Sequence, residues 1–279
     1  MPELPEVETV ARGLRQALVG RTLAAVTLHR PDLLRTDPAL FLAELPGRTV
    51  AGVRRRGKYL LIDLTSPDRE ALTWLVHLGM TGQLLVLPAA VPLQSHTHLQ
   101  VDFVPAGRQL RYRDPRRFGF WALLPTAQVE KEPPLVHLGP EPLEMSLADF
   151  QAVMGRQRGG LKALLLNQRV IAGVGNIYAD EALFAAGLHP RQRAEELRPV
   201  HLRRLYEALQ RVLRAALAAQ GSSIDAGYVS VEGRPGNYQD QHQVYGRTGQ
   251  PCRHCGTAIQ HTVVASRSTH FCPRCQRRK

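Results

Sequence analysis

Two groups of residues in this chain have types and spacings that can do chemistry, and they lie at opposite ends. The chain starts Met1-Pro2-Glu3-Leu4-Pro5-Glu6-Val7-Glu8. Removal of Met1, which a small second residue permits, leaves a free secondary amine on Pro2. An α-amine titrates near ~8, well below a lysine, so a useful neutral fraction exists at physiological pH. Such an amine can attack an electrophilic carbon and form an iminium, as Schiff-base lysines do. Glu3 stands beside it as a proton donor or acceptor. At the other end, Cys252-x2-Cys255 and Cys272-x2-Cys275 flank residues 256–271. That spacing suits one tetrahedral four-thiolate zinc ion better than disulfides or an iron–sulfur cluster. Four thiolates leave no open position for water, so this metal is expected to be structural.

The elements that must hold these groups follow from periodicity. Pro5, Glu6 and Glu8 suit the first turn of a helix, and Val7, Val10, Ala11, Leu14 and Leu18 recur at helical spacing up to Gly20. Pro2 then sits at the positive end of a helix, where the field lowers an amine's pKa and attracts phosphate. Short strand-like stretches follow at 22–29, 49–55, 59–64, 72–78, 83–87, 99–104, 109–113 and 118–124, separated by Gly-, Pro- and Asp-rich turns. Strands at this spacing predict a β-sandwich against which the first helix packs. Residues 125–146 are rich in proline without periodicity and read as an interdomain linker. From Ser146 the period becomes helical, through 147–154, 161–167, a helix from Asn176 to about Ala186, and a long amphipathic helix bearing Leu202, Leu205, Leu209, Val212, Leu213 and Ala216. Residues 220–241 are polar, rich in Gly and Ser, and expected to be mobile. A β-hairpin is expected between the cysteine pairs.

The fold class is therefore α+β, with four parts. These are a sandwich domain (1–124), a linker (125–146), a helical domain carrying the loop 220–241 (147–241), and a zinc finger (242–279). The chain of 279 residues carries 36 Lys and Arg against 24 Asp and Glu, a net charge of +12, which points to a polyanionic partner, most simply nucleic acid. No apolar run approaches ~18 residues, so a membrane span is not expected and the cytosol is the default.

Several loops carry residues that a scaffold alone does not require. In Arg54-Arg55-Arg56-Gly57-Lys58-Tyr59, Lys58 is either functional or an exposed lysine that discourages edge pairing. His77-Leu78-Gly79-Met80-Thr81-Gly82 sets a methionine between glycines, and Asp114-Pro115-Arg116-Arg117-Phe118-Gly119 presents an arginine with an aromatic. An apolar wedge beside an arginine is what fills the hole left when a base leaves the duplex stack. Arg156, Arg158 and Lys162 could reach phosphate. In Gly173-Val174-Gly175-Asn176, Asn176 is placed as an N-cap whose helix start could hold a phosphate.

Pro2 to Thr9, the three loops above, the run 167–190 and the cysteine finger resemble, in that order, the formamidopyrimidine-DNA glycosylases. The resemblance implies a helix–two-turn–helix bundle and base-excision repair of oxidised purines such as 8-oxoguanine and formamidopyrimidines. It also implies β,δ-elimination at the resulting abasic site, with Pro2 as nucleophile and no redox cofactor. Glu3, Lys58 and Arg267 become the other catalytic candidates. Met80, Arg116 and Phe118 become the helix-inserting residues, and His77, His96, Arg116, Arg158 and Asn176 the DNA contacts. His98 remains an alternative to His96, because Ser95 stands where the family has a lysine. In 222–228 the chain looks one residue longer than the family pattern, with Asp225 near a position often basic, so base contacts are not carried over there. The expected partner is damaged duplex DNA, met by a monomer in the nucleoid-bearing cytoplasm. Two alternatives stay open: an endonuclease VIII-type enzyme for oxidised pyrimidines, usually beginning Pro-Glu-Gly-Pro, and a non-catalytic zinc protein that binds damaged DNA.

Overall fold

The structure, a computed structural model, describes residues 1–224 and 227–278. The chain divides into two compact units, Met1–Val136 with Ala219–Asn237, and His137–Ala218 with Tyr238–Lys279.

The first unit starts with helix α1 (Leu4–Leu18), after which Val19 leaves the helical region and Gly20 turns the chain at φ +83°. Eight strands follow: β1 (Thr22–Leu28), β2 (Thr49–Arg56), β3 (Tyr59–Ser66), β4 (Arg69–His77), β5 (Gln83–Pro88), β6 (Thr97–Val104), β7 (Arg108–Arg113) and β8 (Phe120–Pro125). They pair antiparallel in the order β5-β7-β6-β1-β2-β3-β4-β8. The junction of β1 and β2 is a single pairing, Thr22 with Thr49, whereas the other neighbours pair along most of their length. The sheet folds over at that corner. Tyr112 of β7 and Trp121 of β8, distant in strand order, meet edge-on with ring centroids 4.7 Å apart. The result is the expected sandwich, filled by Leu60, Ile62, Trp74, Leu99, Val101 and Trp121.

Helix α1 lays Val7, Val10, Ala11, Leu14 and Leu18 into this core. A short helix α2 (Pro38–Glu44), which periodicity does not reveal, is capped by Asp37, whose side chain accepts from Leu40 N–H at 2.9 Å. The last strand begins at Phe120 rather than at residue 118; Phe118 lies in the loop before it.

Residues 219–237 correct an expectation. For want of apolar anchors, the sequence pattern assigns residues 220–241 to the helical domain as a mobile loop. Residues 219–237 belong instead to the first unit, where Tyr228 and Val231 are buried in its core. The Val231 carbonyl accepts from Val86 N–H at 2.8 Å, and a Cβ on Gly13 of α1 would stand 2.5 Å from a Val231 methyl. Asp225 lies outside the described residues.

The second unit contains α3 (Leu147–Gly155), α4 (Leu161–Leu166), α5 (Asn176–Ala186), α6 (Pro199–Ala218) and the hairpin β9 (Gln260–Val264) with β10 (Arg267–Phe271). Ser146 and Asp149 make a reciprocal capping box at α3, and Gly187 closes α5 in the left-handed region. The sequence pattern separates a finger at residue 242 from the helices, yet both form one unit. Two acidic residues of α5 explain this. Glu181 accepts the backbone N–H groups of Gln243, Val244 and Tyr245, each at 2.9 Å. Asp180 accepts from His270 N–H at 2.8 Å and pairs with Lys162 at 2.6 Å.

Lys162 is therefore not available to DNA phosphate, contrary to the expectation from sequence. It is fully buried and also donates to the Ser268 carbonyl and the Thr269 hydroxyl, each at 2.8 Å. Removing one member of such a pair leaves an uncompensated buried charge. Asp180→Ala is expected to destabilise the second unit by about 3–5 kcal/mol. Urea unfolding followed by far-UV circular dichroism measures this.

Candidate active site and nucleic-acid interface

The chain terminus is held by α1. Glu3 is the residue before the helix, and its side chain accepts from the backbone of Glu6 while Glu6 Oε2 accepts from Glu3 N–H at 2.8 Å. Oε1 of Glu6 accepts from Ser222 N–H at 2.7 Å. Both carboxylates are buried, as is Pro2. In the unprocessed chain the terminal amine belongs to Met1, and its pKa is held below the ordinary value. Burial is the main cause; Lys58 and Arg116 add to it by their charge, against the opposing pull of Glu3 and Glu6. Loss of Met1 moves the amine one residue inward, to Pro2.

Lys58 lies in the turn between β2 and β3, after Gly57 at φ +57°, and is 6% exposed. The exposed-edge reading of this lysine is thereby overturned. The neighbouring arginines are structural: Arg55 pairs with Glu8 at 3.1 Å, and Arg54 pairs with Asp63 and Glu130. His77, at the end of β4, is packed between Tyr59 and Phe120, with centroids 4.8 and 5.4 Å away. Its pKa is lowered to about 4, first by burial and then by the charges of Lys58 and Arg35. Nδ1 accepts from Gly79 N–H at 3.2 Å, which leaves Nε2 as the donor. Arg35 itself lies 3.3 Å over the Phe120 ring, a contact that no sequence motif signals.

Met80, Arg116 and Phe118 are brought together on exposed loops. Met80 is 39% and Phe118 54% exposed, and the Arg116 guanidinium lies 4.7 Å from the Phe118 ring centroid. The loops touch because glycine stands at their contact. A Cβ on Gly79 would lie 2.4 Å from the Phe118 carbonyl carbon, and one on Gly119 would lie 1.8 Å from the Tyr112 hydroxyl. Between the loops sits a residue that the sequence presents only as a turn former. Asp114, fully buried, accepts from Thr81 Oγ1 at 2.5 Å and Arg116 N–H at 3.3 Å on one oxygen, and from Gly119 N–H at 2.9 Å and Tyr112 O–H at 3.2 Å on the other. Its one signal in the sequence is Asp at the start of a turn, which is too common to single it out.

The two histidines now separate. His98 is 5% exposed and its Nε2 donates to the Asp114 carbonyl at 2.8 Å, so it is part of the scaffold. His96 is exposed, with φ +64°.

In the second unit, Asn176 is the first helical residue of α5, and Gly175 is the N-cap, a one-residue correction. Its amide donates to the Ser268 carbonyl at 2.9 Å, one residue from Arg267. Arg267 opens β10 after a turn in which Ala265 and Ser266 both have positive φ, and it is exposed. Arg158 is exposed between α3 and α4. The four cysteine sulfurs lie within 4.8 Å of one another, with Cys255–Cys272 at 3.5 Å and Cys252–Cys275 at 4.0 Å. A zinc tetrahedron with Zn–S near ~2.3 Å has sulfur edges of about 3.8 Å. Backbone N–H groups of His254 and Cys275 point at Cys252 and Cys272 sulfurs, each at 3.4 Å, which suits thiolates. The set fits one structural zinc ion held by Cys252, Cys255, Cys272 and Cys275.

Comparison with known proteins agrees with this geometry. Residues 1–121 match the formamidopyrimidine-DNA glycosylase N-terminal domain, 138–227 its H2TH domain, and 249–278 the zinc finger found in FPG and IleRS. The chain is 44% identical to the formamidopyrimidine-DNA glycosylase of Geobacillus kaustophilus, covering 99% of this chain and 100% of that protein. It is 46% identical to that of Herpetosiphon aurantiacus, with the same coverage. Among solved structures, Lactococcus lactis Fpg with an abasic site containing DNA superposes with a TM-score of 0.90 at 36% identity, covering 99% of this chain and 100% of that one. The MutM (Fpg) protein of Thermus thermophilus gives 0.87 at 41% identity, covering both chains fully. The chain belongs to the formamidopyrimidine-DNA glycosylase family.

Two outcomes follow from the titrating and metal-binding groups. Folded His77 stays neutral down to about pH 4, whereas the unfolded histidine charges near 6.5. Protons therefore favour the unfolded state, so stability is unaffected above pH 6.5 and falls between 6.5 and 4, by up to about 3 kcal/mol. Both tryptophans, Trp74 and Trp121, lie in the first unit, so their fluorescence during urea unfolding reads this, and His77→Gln should flatten the slope. Cys255→Ser should lose zinc and DNA affinity together, as followed by metal analysis and fluorescence anisotropy.

Proposed function

We propose that this chain excises oxidised purines, 8-oxoguanine and formamidopyrimidines, from duplex DNA in base-excision repair, and then cleaves the abasic site. The observation that carries the catalytic reading is the buried start of the chain, where Glu3 and Glu6 flank an amine whose pKa is depressed beside Lys58 and Arg116. An amine whose pKa is held down keeps more of its neutral, nucleophilic form, and a damage-binding scaffold has no need of one.

The chemistry runs from the Pro2 nitrogen. After removal of Met1, its lone pair attacks C1′ of the deoxyribose, and the glycosidic electron pair leaves with the base, which takes up a proton. Glu3 handles the proton at the ring oxygen as the sugar opens. A secondary amine bonded to C1′ yields a permanently cationic iminium, which acidifies the C2′ proton. Loss of that proton expels the 3′ phosphate, and a second elimination expels the 5′ phosphate. Lys58 and Arg267 assist by proton transfer and by stabilising the departing phosphates.

Met80, Arg116 and Phe118 fill the space vacated by the extruded nucleotide. His96, Arg158 and Asn176 grip phosphate, and His77 contributes a neutral Nε2–H donor. Zinc, when bound by the four thiolates, fixes the hairpin that bears Arg267; no step of the reaction passes through it. The excess of arginine supplies salt-sensitive attraction to DNA. The enzyme acts as a monomer on nucleoid DNA in the cytoplasm.

The test is covalent capture. Untagged protein, incubated with duplex DNA containing one 8-oxoguanine opposite cytosine and then borohydride, should give an adduct on the N-terminal peptide by mass spectrometry. Retaining Met1 should abolish strand cleavage while leaving most DNA binding. Cleavage at an undiminished rate by the blocked protein excludes Pro2. Adduct formation only on oxidised pyrimidines would assign the endonuclease VIII-type substrate instead.

A further inference from the structure

We infer that Asp114 is the positioning residue of the base-extrusion step: it presets the Met80 and Arg116–Phe118 loops as one rigid wedge and registers that wedge to the phosphate contact at His96. The inference rests on the proposed function of these loops and adds a residue that touches no part of the substrate.

A carboxylate group offers about four lone-pair positions to donors. Asp114 meets four donors, and they come from three different places. Thr81 belongs to the Met80 loop, Arg116 and Gly119 bracket Phe118, and Tyr112 stands on β7 in the core. Among the described residues no lysine or arginine side chain is seen to pair with this carboxylate, so hydrogen bonds offset its burial. Such a site tolerates little displacement, because moving either loop would strip a buried polar group of donors. The Thr81 hydroxyl is also within reach of Arg116 N–H, at 3.3 Å, closing a ring between the loops.

The backbone of Asp114 extends the connection to the phosphate side. Its N–H donates to the His96 carbonyl at 3.0 Å, and its own carbonyl takes the His98 donor. One residue thus fixes the wedge tips and the loop that presents His96. Neither loop is anchored by apolar burial at its tip, since Met80 and Phe118 both face outward. The tips therefore depend on this polar node for their geometry before DNA arrives.

Preset wedges matter only when a stacked base must be displaced. The consequence is a substrate-dependent loss that a general destabilisation would not produce. Single-turnover excision would be measured for Asp114→Asn, Thr81→Val and Thr81→Ser on two substrates. One carries 8-oxoguanine opposite cytosine, and the other is an otherwise identical duplex with a preformed abasic site. A 2-aminopurine neighbouring the lesion in the opposite strand would report unstacking in the first.

Asp114→Asn puts an amide where two donors point and should slow duplex excision by about 10–100-fold, the scale of a misplacement of about 1 Å. Thr81→Val should slow it less, Thr81→Ser should restore it, and the 2-aminopurine signal should be delayed in proportion. Cleavage of the preformed abasic site should stay within about twofold. Equal loss on both substrates, a Thr81→Ser variant as slow as Thr81→Val, or unchanged 2-aminopurine kinetics would overturn the inference. Inactivity of the unmutated protein on both substrates would instead overturn the proposed function on which it rests.

Discussion

The constraint on which this structure turns is how the start of the chain, with Pro2 buried, is held in place. An end residue is tethered on one side only, so covalent geometry cannot hold it. Here the hold comes from the second carboxylate of the first turn: Glu6 takes the backbone N–H of Glu3 on one oxygen and that of Ser222 on the other. A group usually spent satisfying a helix's own orphan donors is thereby also a clamp between the first turn and residues 219–237. Burial of the terminus lowers the amine's pKa, and the nearby positive charges push it the same way. The placement of the chain's start and the lowered pKa of its amine come from one local arrangement.

The rest of the first unit can be understood as support for that arrangement. The sandwich buries the apolar stripe of α1, and Val231 fills the notch at Gly13, so helix and returning segment are fixed against the same core. Its loops then carry the groups that need exposure. Glycines at 79 and 119 permit an approach that any side chain would block, and a buried carboxylate joins the loops thus brought together. Polar burial is costly, and it occurs here where geometry must be unique rather than where stability alone is needed.

The second unit uses the same device at a different place. Lys162, Asp180 and His270 tie α4 and α5 to the hairpin, so that Asn176 and the Ser268 carbonyl beside Arg267 are hydrogen-bonded neighbours. The cysteine site holds the other end of the same hairpin. Two elements far apart in sequence, each with a weak claim to bind phosphate, become one surface through a buried ion pair.

What the sequence determined by itself was whatever is encoded locally. The helical stripe of α1, the eight short strands, the cap at Ser146, and the spacing of Cys252, Cys255, Cys272 and Cys275 are all local patterns, and backbone periodicity or ligand geometry translates them directly. The resemblance added order to motifs that were individually weak, such as Met80, Arg116 and Phe118. Tertiary structure alone decided which polar residues are buried and with whom. Lys58 and Lys162 are both basic residues close to glycine, yet one lies near the chain's amino terminus and the other inside an ion pair with Asp180. His96 and His98 are two residues apart, and only the fold makes one a surface group and the other a scaffold donor. Asp114 looks like an ordinary turn residue because its partners lie on two loops and a strand. Burial and long-range hydrogen bonding arise from chain segments meeting in space, and no local window of sequence contains both partners.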